Sequence, residues 1–454
     1  MSDRNITTAF TSGSLWENIW RMSWPMLLVM LLNFFVGLTD IYVAGYLGPE
    51  VQAVVGFVGQ LYFFIIIVAH AIGIGTVAIV SRAVGSGDEP GALYAVRQSI
   101  LFGLVCSVVL MLAGLVFRDW LLAPARFTGQ SAVVAREFLT IFACALMPNY
   151  LVIIANAIFR AGGEVKLSLA AMCLVSIVNI ILNFVLVFGV GLFPGIGYKG
   201  IALATALAMV SGTIACLFLI VRSRWRGLFH GPWMLSGAFI KRISAVSWPS
   251  ALIQISWNAG NIVLYAILAT LATGRITTMA ALTNGLRIEA AIYLPAFALH
   301  MAAAVLTGQN LGAGDPRRAE RLAWKISLAG VLFVTAMSVP VLFWPDIFSS
   351  IVSRDSSVIA ETSRYLRITM LVEPFMAISV VLGGCLQGAG DTRGAMTVII
   401  TTLWGIRLPL AFLLAVTMGY GATGVWVAMA VSMVFQSMGM TVRFRNGQWK
   451  LLKP

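Results

Sequence analysis

Long apolar stretches, separated by short polar turns, constrain this chain more than any other feature of its sequence. Of its 454 residues, 60% are hydrophobic and 10% are charged, whereas about 25% of residues in ordinary soluble domains are charged. A helix needs about 20 mainly apolar residues to cross a bilayer, and we find about twelve such stretches. We therefore predict an all-α integral membrane protein with twelve transmembrane helices and no room for a soluble domain.

Four short motifs occur twice in the same order, which indicates an internal repeat with an offset of 224 or 227 residues. The pairs are MSWPMLL (22–28) and VSWPSAL (246–252), SRAVGSGD (81–88) and GQNLGAGD (308–315), RAGGE (160–164) and QGAGD (387–391), and GIGYKG (195–200) and GYGATG (419–424). Each copy contains six spans. Because six is an even number, both copies start on the same side of the membrane, and we predict a pseudo-twofold axis along the membrane normal.

The repeat predicts how the chain is divided. The segments are a cytoplasmic lead (1–19), a first lobe with helices one to six (20–222), a cytoplasmic inter-lobe loop (223–239), a second lobe with helices seven to twelve (240–442) and a cytoplasmic tail (443–454). Glycine-rich turns recur at corresponding places in the two lobes. We interpret them as tight connections, since glycine permits a positive φ and no Lys-Ser/Thr follows that would indicate a phosphate loop.

The net charge of +13 reports orientation in the membrane. A nucleic-acid reader needs its cations grouped on one soluble face. Here about 20 of the 30 Lys and Arg residues lie in or beside alternate connections, a bias that marks the cytoplasmic side of a membrane protein. We therefore predict that both termini and the inter-lobe loop are cytoplasmic, and that the chain contacts a lipid bilayer and no nucleic acid.

An acid without a cationic neighbour lies in the first span, within NFFVGLTDIYVAGYLG (33–48). A carboxylate at mid-membrane costs about 2.5–3.5 kcal/mol, and protonating it at neutral pH costs a similar amount, about 4 kcal/mol. The acid, Asp40, can therefore be held near the balance between its two states, which a neighbouring cation can tip. Because intramembrane acids are functional by default, a cation or proton site is favoured; a helix cap or a contact with interfacial water is the alternative.

Other polar residues of the first half accompany Asp40. Asn33 and Gly37 lie on the same helical stripe, which predicts that this face borders a cavity. Pro25, earlier in the same span, removes a backbone hydrogen bond and is our candidate hinge.

Amide side chains supply further candidates. Asn179 and Asn183 are four residues apart on one face of span five, and Asn156 ends span four. Amides in a bilayer often hold helices together, so packing is the alternative to a site. Together with Asp40 they could offer oxygens to Na⁺ or hydrogen bonds to a protonated acid. For the substrate cleft we predict Asn33, Asn156, Gln254 and Asn258.

The second half lacks a counterpart of Asp40, because Leu264 occupies the matching position. Span eight instead carries Arg287 and Glu289 near mid-membrane. Two residues apart, they point to different sides of a helix. A structural ion network and a second protonation or substrate site both remain open for this pair. A further group, interpreted as a structural network, comprises Arg367, Glu373 and Arg407.

Several longer motifs together resemble the multidrug and toxic compound extrusion (MATE) family, prokaryotic type, over essentially the whole chain. They are SWP followed by TDIYVAGYLG, FRAGGEVK followed by VNIILNFVLVFG and GIGYKGIALATAL, and RIEAAIYLPAFALHMAAAVLTGQNLGAGD. The resemblance implies twelve helices in two six-helix lobes around a central cleft. It also implies export of small organic, often cationic, compounds in exchange for H⁺ or Na⁺.

The same resemblance implies a coupling-ion site in the first lobe. The family's acid in helix one falls on Asp40. The Asn and Asp that the family carries four residues apart in helix five fall on Asn179 and Asn183, so the second carboxylate is missing here. The family's helix-six threonine falls on Thr205. The only metal expected is a possible Na⁺ at Asp40.

Two functions remain open at this point. The first is a secondary active multidrug efflux transporter in the cell (inner) membrane, which couples drug export to H⁺ or Na⁺ by alternating access. The second is a lipid-linked precursor flippase of the same wider superfamily, which would line its cleft with several cations; the first half has almost none within its spans. We expect no enzymatic activity, no cofactor besides the coupling ion, and a monomer.

Overall fold

The structure is a computed structural model that describes residues 10–191, 193–271 and 273–452, and almost all of them are helical. The helices of the first half are α1 (Leu15–Tyr46), α2 (Pro49–Gly85), α3 (Glu89–Val116), α4 (Arg118–Leu122), α5 (Gly129–Cys144), α6 (Leu146–Ala161), α7 (Val165–Phe188) and α8 (Tyr198–Arg222). An antiparallel hairpin of β1 (Gly189–Val190) and β2 (Phe193–Pro194) separates α7 from α8. The first nine residues of the predicted lead and the last two of the tail lie outside the described residues.

The second half is built in the same way. Its helices are α9 (Gly237–Ala269), α10 (Arg275–Gly312), α11 (Pro316–Phe343), α12 (Pro345–Val352), α13 (Ser356–Thr369), α14 (Glu373–Ala389), α15 (Thr392–Thr402), α16 (Leu408–Phe412) and α17 (Gly421–Arg445). Short 3-10 segments are Ala123–Ala125, Arg224–Phe229 and Gln448–Lys450, and π-helical segments flank α16 at Leu403–Arg407 and Leu413–Thr417.

The helices have the lengths that a bilayer requires. Within the described residues, ten helical segments are long and apolar enough to cross a membrane. The pairs α5/α6 and α13/α14 also meet this requirement when each pair is counted as one span. The resulting total of twelve agrees with the number of spans predicted from the sequence.

Two predicted spans are not continuous helices. The span 132–160 bends by 46° between α5 and α6, and the span 358–388 bends by 60° between α13 and α14. Pro148 and Pro374 lie in the first turns of the helices that follow the bends. Proline lacks the N–H that would continue the preceding helix, and its ring clashes with the carbonyl four residues earlier. Both bends therefore have a local cause.

The repeated glycine-rich turns begin helices in one common way. Asp88, Asp315 and Asp391 each accept a hydrogen bond from the backbone N–H three residues later, at 2.8–3.1 Å. The glycine just before each of them has a φ between +73° and +91°. The acid is thus an N-cap, and the glycine adopts a conformation that other residues rarely take. This geometry agrees with the predicted tight connections.

The chain divides into two compact units. The first contains Leu28–Ser247, and the second contains Thr11–Leu27 together with the chain from Trp248 onward. This division differs from the predicted lobes, 20–222 and 240–442, at two places. The beginning of α1 belongs to the second unit, and the beginning of α9 belongs to the first.

Side-chain packing within each unit explains the difference. In the second unit, Trp20 of α1 shares a groove with Pro295 of α10 and Phe333 of α11. In the first unit, the beginning of α9 lies against Gly75 of α2, where an added Cβ would come within 2.9 Å of Ile243. Only glycine permits this approach, so the sequence of α2 is adapted to the start of α9.

Helices α7 and α8 also approach each other closely, directly after the β1–β2 hairpin. Gly200 makes this possible, because an added Cβ at this position would lie 2.7 Å from the backbone carbonyl carbon of Leu186. Elsewhere in the first unit, Val29 of α1 packs with Met172 of α7 and Val152 of α6. Three helices of the first unit thereby meet in the first half of α7.

Candidate functional site

A chain of hydrogen bonds connects four predicted site residues in the first unit. The side-chain amide of Asn183, on α7, donates to a carboxylate oxygen of Asp40 on α1 at 2.8 Å and to Oδ1 of Asn179 at 3.0 Å. Asn179 donates in turn to Oγ1 of Thr205 on α8, at 3.3 Å. The residues predicted for the coupling ion therefore form one continuous network.

The local structure explains why these side chains meet. Asn179 and Asn183 are one helical turn apart and share a face of α7. The close approach at Gly200 brings Thr205 of α8 to this face, where its hydroxyl also donates to the carbonyl of Ile201 at 3.2 Å. Three helices thus each contribute part of the network.

The network contains one acid, Asp40, and its other members are neutral amides and a hydroxyl. Both asparagines are fully buried, and Asp40 is half-buried. Among the described residues, no Lys, Arg or His forms an ion pair with Asp40, whose side chain contacts the neutral amide of Asn183. Oδ1 of Asn183 is buried without a hydrogen-bond partner. This oxygen, which lies on the same amide that contacts Asp40, is therefore available to accept a hydrogen bond or to contact a cation.

The chemistry of the network suits a small cation or a proton. Carboxylate, amide and hydroxyl oxygens are the ligands that hard cations prefer. A proton on Asp40 could be accommodated as well, because a half-turn of the Asn183 amide would present Oδ1 to the acid proton in place of its NH₂ group. Within the described residues no cluster of three His, Cys, Asp or Glu side chains could hold a metal ion.

One predicted cleft residue lies inside the helix packing of the first unit. Asn156 is buried; it donates to the carbonyl of Val152 at 2.8 Å and accepts from the hydroxyl of Ser168 at 2.6 Å. This burial favours packing, the alternative considered for the amides, over a place in the substrate cleft. The local bonds satisfy both ends of the amide, so we interpret Asn156 as a residue that holds helices together.

The other predicted cleft amides are accessible. Asn33 is exposed on α1, and Gln254 and Asn258 are partly exposed on α9, where the Asn258 side chain donates to the Gln254 carbonyl at 2.9 Å. Pro25 is buried within α1, and the division between the units falls two residues beyond it. Their roles in substrate binding and as a hinge stay predictions.

A second buried polar cluster surrounds a cavity of about 140 Å³ in the second unit. Glu289, Glu373 and Arg407 line the cavity, and none of them is more than 3% exposed. The hydroxyl of Tyr293 donates to Glu289 at 2.9 Å, and the Arg407 guanidinium lies 4.9 Å from the centre of the Trp257 ring. Two buried carboxylates and one buried guanidinium therefore line the same cavity, although none of the ion pairs found among the described residues joins them.

The structure separates residues that the sequence had grouped. Arg287 is exposed and lies on a different face of α10 from Glu289, so the predicted second polar site contains Glu289 without Arg287. Arg367 also lies outside the cluster, because it is exposed and pairs with Asp346 at 3.6 Å. The cation beside Glu289 is Arg407, which comes from a distant part of the chain.

Sequence reasoning did not identify the aromatic residues of this cavity. For Tyr293 a signal was present, since it follows Glu289 by four residues and must share its helical face. For Trp257 no local pattern exists. Its contact with Arg407 depends on how α9 packs against the π-helical segment at Leu403–Arg407.

Membrane-length helices with ionisable groups inside them are typical of transporters, in which such groups mark the paths of ions and substrates. Comparison with known proteins makes this class specific. A family model described as MatE matches residues 25–185 and again residues 249–413. The chain belongs to the MatE family, and the double match agrees with the six-span repeat.

Individual relatives extend over nearly the whole chain. It is 23% identical to the probable multidrug resistance protein NorM of Thermotoga maritima, over 95% of this chain and 92% of the relative. It is 25% identical to the NorM protein of Bradyrhizobium diazoefficiens that carries the same description, over 94% and 92%. The fold is also similar to a solved structure described as the outward-facing conformation of a multidrug resistance MATE family transporter. The two chains are 21% identical, and they superpose over 100% of each chain with a TM-score of 0.88.

These similarities settle the fold. The TM-score confirms the predicted all-α membrane fold of the MATE type. The flippase alternative is not favoured by the relatives, because those reported above are described as probable multidrug resistance proteins.

Proposed function

We propose that this chain is a secondary active multidrug efflux transporter, which exports small organic, often cationic, compounds in antiport with H⁺ or Na⁺ by alternating access. The observation that carries the proposal is the carboxylate of Asp40 at the end of a hydrogen-bonded chain of neutral groups. The relatives described as probable multidrug resistance proteins support the substrate class.

Neutral partners leave Asp40 free to change its charge. A fixed Lys or Arg would hold the carboxylate ionised. Asn183 instead donates to the charged form and keeps an unpartnered oxygen beside it. Binding of H⁺ or Na⁺ neutralises the site, and release of the ion restores a negative charge that attracts a cationic substrate.

Such a site can couple two movements. A ligand shifts a conformational equilibrium only when it binds one conformation better than the other. In this proposal the ion favours one conformation and the cationic substrate favours the other, because both compete for the same negative charge. The second cluster, around Glu289, is the next candidate for a protonation site.

The proposal includes the placement of the protein. We propose that it lies in the inner membrane with both termini and the 223–239 loop in the cytoplasm, that it works as a monomer, and that it needs no cofactor besides the coupling ion. The bias of positive charge toward these segments supports the orientation.

Transport in inside-out vesicles tests the proposal. A H⁺ gradient and a Na⁺ gradient would be imposed separately while uptake of a fluorescent organic cation is recorded. At equal membrane abundance, Asp40→Asn should lose gradient-driven uptake, and Asp40→Glu should keep part of it. Asp346→Asn is the matched control: its ion pair with Arg367 is exposed on both sides, and such pairs contribute little.

Two results would contradict the proposal. Uptake by Asp40→Asn at the rate of the unmodified protein would show that the coupling site lies elsewhere, with Glu289 the next residue to replace. Failure of the unmodified protein to respond to either gradient would exclude antiport with H⁺ or Na⁺.

A further inference from the structure

A groove of about 190 Å³ lies in the second unit, between the beginning of α1 and helices α10 and α11. Trp16, Trp20 and Trp24 line it at successive turns of one face of α1. Pro295 of α10 and Phe333 of α11 form part of the opposite side. Trp20 is 62% exposed and Phe333 52%, so the groove opens at the surface of the unit.

The groove is shaped by residues with little bulk on α10 and α11. Ala298 and Ala329 lie in its lining, where larger side chains would fill the space. Pro295 cannot donate a backbone hydrogen bond within α10. The indole rings of α1 therefore face α10 and α11, and the small side chains of these two helices leave the space of the groove open.

The lining favours hydrocarbon over water. It is aromatic and aliphatic apart from the indole N–H groups and the hydroxyl of Ser23. Ser23 is 8% exposed, and its hydroxyl oxygen has no hydrogen-bond partner. An ordered water needs two to four polar partners, which a surface of this composition hardly provides. An apolar chain that carries a polar group at one end would suit both the walls and this hydroxyl.

The ammonium of Lys325 lies at one end of the groove, beside Trp16. Lys325 precedes Ala329 and Phe333 on the same face of α11, by one and two turns. Its ammonium lies 5.4 Å from the centre of the Trp16 ring, and it takes part in none of the ion pairs found among the described residues. A cationic drug would be repelled here, whereas an anionic group would be attracted.

We propose that this groove binds an anionic phospholipid of the cytoplasmic leaflet, with an acyl chain against the tryptophans and the phosphate at Lys325. Anionic lipids attract basic residues at the cytoplasmic surface, and tryptophan side chains favour the membrane interface. The inference uses the proposed orientation of α1 and does not depend on drug export or on Asp40.

Native mass spectrometry of the purified, detergent-solubilised protein tests the headgroup. Phosphatidylglycerol and phosphatidylcholine with the same acyl chains would be added in turn, and the retained lipid measured. We expect the unmodified protein to retain phosphatidylglycerol about fivefold better, the preference that one lysine near a membrane surface provides. Lys325→Gln should lose this preference. Lys166→Gln, an exposed lysine at the start of α7, should keep it.

A second pair of variants tests the groove. Ala329→Phe should fill it and reduce lipid retention, whereas Leu332→Phe, at an exposed position of the same helix, should not. Size-exclusion chromatography checks folding. If Ala329→Phe does not fold, the comparison of Lys325→Gln with Lys166→Gln still tests the proposal. Equal retention of the two lipids, or a preference in Lys325→Gln equal to that of the unmodified protein, would overturn the proposal. Lipid retention is measured without transport, so its outcome is separate from the test of Asp40.

Discussion

Asn183 is the side chain on which the charge of Asp40 depends most directly. It donates a hydrogen bond to the carboxylate, and it also keeps a buried oxygen without a partner beside that acid. The NH₂ group of this neutral amide can therefore donate to the charged acid, and its oxygen can contact a bound ion or accept a hydrogen bond from the protonated acid. A second carboxylate at this position would add a charge that the amide avoids.

Replacing this amide by an apolar side chain of similar size should weaken ion coupling. A hydrogen bond to a charged group contributes about 1.5–3 kcal/mol, so Asn183→Leu should change the ion concentration for half-maximal transport by about tenfold or more. The matched variant Asn156→Leu loses the buried hydrogen bonds with Val152, Met172 and Ser168 in the same unit. It should lower the thermal stability and leave the ion dependence unchanged. Identical ion dependence in both variants would show that Asn183 only holds helices together.

The charge balance of the second cluster gives a different prediction. Arg407→Met would remove the guanidinium from a cavity that Glu289 and Glu373 also line, and leaving these buried carboxylates without a nearby cation should lower the stability. Glu289→Gln leaves one carboxylate beside one guanidinium and should cost less. Thermal unfolding followed by fluorescence-detected chromatography measures both. Equal loss of stability would mean that Arg407 does not balance both acids.

The sequence predicted part of these sites at the level of residues. Asp40, Asn179 and Asn183 were recognisable because polar side chains are expensive in an apolar span. Thr205 came from the family resemblance, since a single threonine in a helix is no signal. That Glu289 shares a cavity with Arg407 and not with Arg287 depends on helix rotation and on contacts between distant segments, which local spacing does not determine.

At the scale of helices, the distance between α7 and α8 controls the network around Asp40. Gly200→Ala would place a methyl group against the backbone at Leu186 and should push α8 outward, at an overpacking cost of about 1–3 kcal/mol. The 3.3 Å bond between Asn179 and Thr205 should lengthen. We expect lower thermal stability and slower ion-driven transport.

The control for this substitution is another helical glycine. Gly56 of α2 has no atom within 4 Å of an added Cβ, so Gly56→Ala should be stable or slightly stabilised, by about 1 kcal/mol, through the better helix propensity of alanine. If Gly200→Ala and Gly56→Ala unfold at the same temperature, the close approach of α7 and α8 is not the constraint we describe.

The course of the helices was only partly predictable. Hydropathy predicted the number of spans, because the bilayer fixes the apolar length of each helix. It did not predict the bends, although prolines lie at both. Pro148 and Pro374 follow breaks, whereas Pro25 and Pro295 lie inside continuous helices. The same missing N–H has different results, because neighbouring helices decide whether the freed backbone is accommodated.

At the scale of the whole molecule, the charge bias predicts which ends of the helices face the cytoplasm. Single cysteines at Ser223 and Ser353, in a background in which the five native cysteines are replaced, test this orientation with a membrane-impermeant thiol reagent. Intact cells should label Ser353→Cys and protect Ser223→Cys. The reverse pattern would invert the topology, and with it the proposed leaflet of the bound lipid.

The division of α1 between the two units has a consequence for how the protein is made. The segment Thr11–Leu27 leaves the ribosome before α10 and α11, but it belongs to the same unit as these helices and lines a groove with Pro295 and Phe333. At a synthesis rate of about 5–20 residues per second, it waits on the order of tens of seconds for α10 and α11. During this time its tryptophans have no partner helices from that unit. In a product truncated after the first six spans, this segment would never gain its partner helices, α10 and α11. Cellular quality control could then recognise the exposed tryptophans.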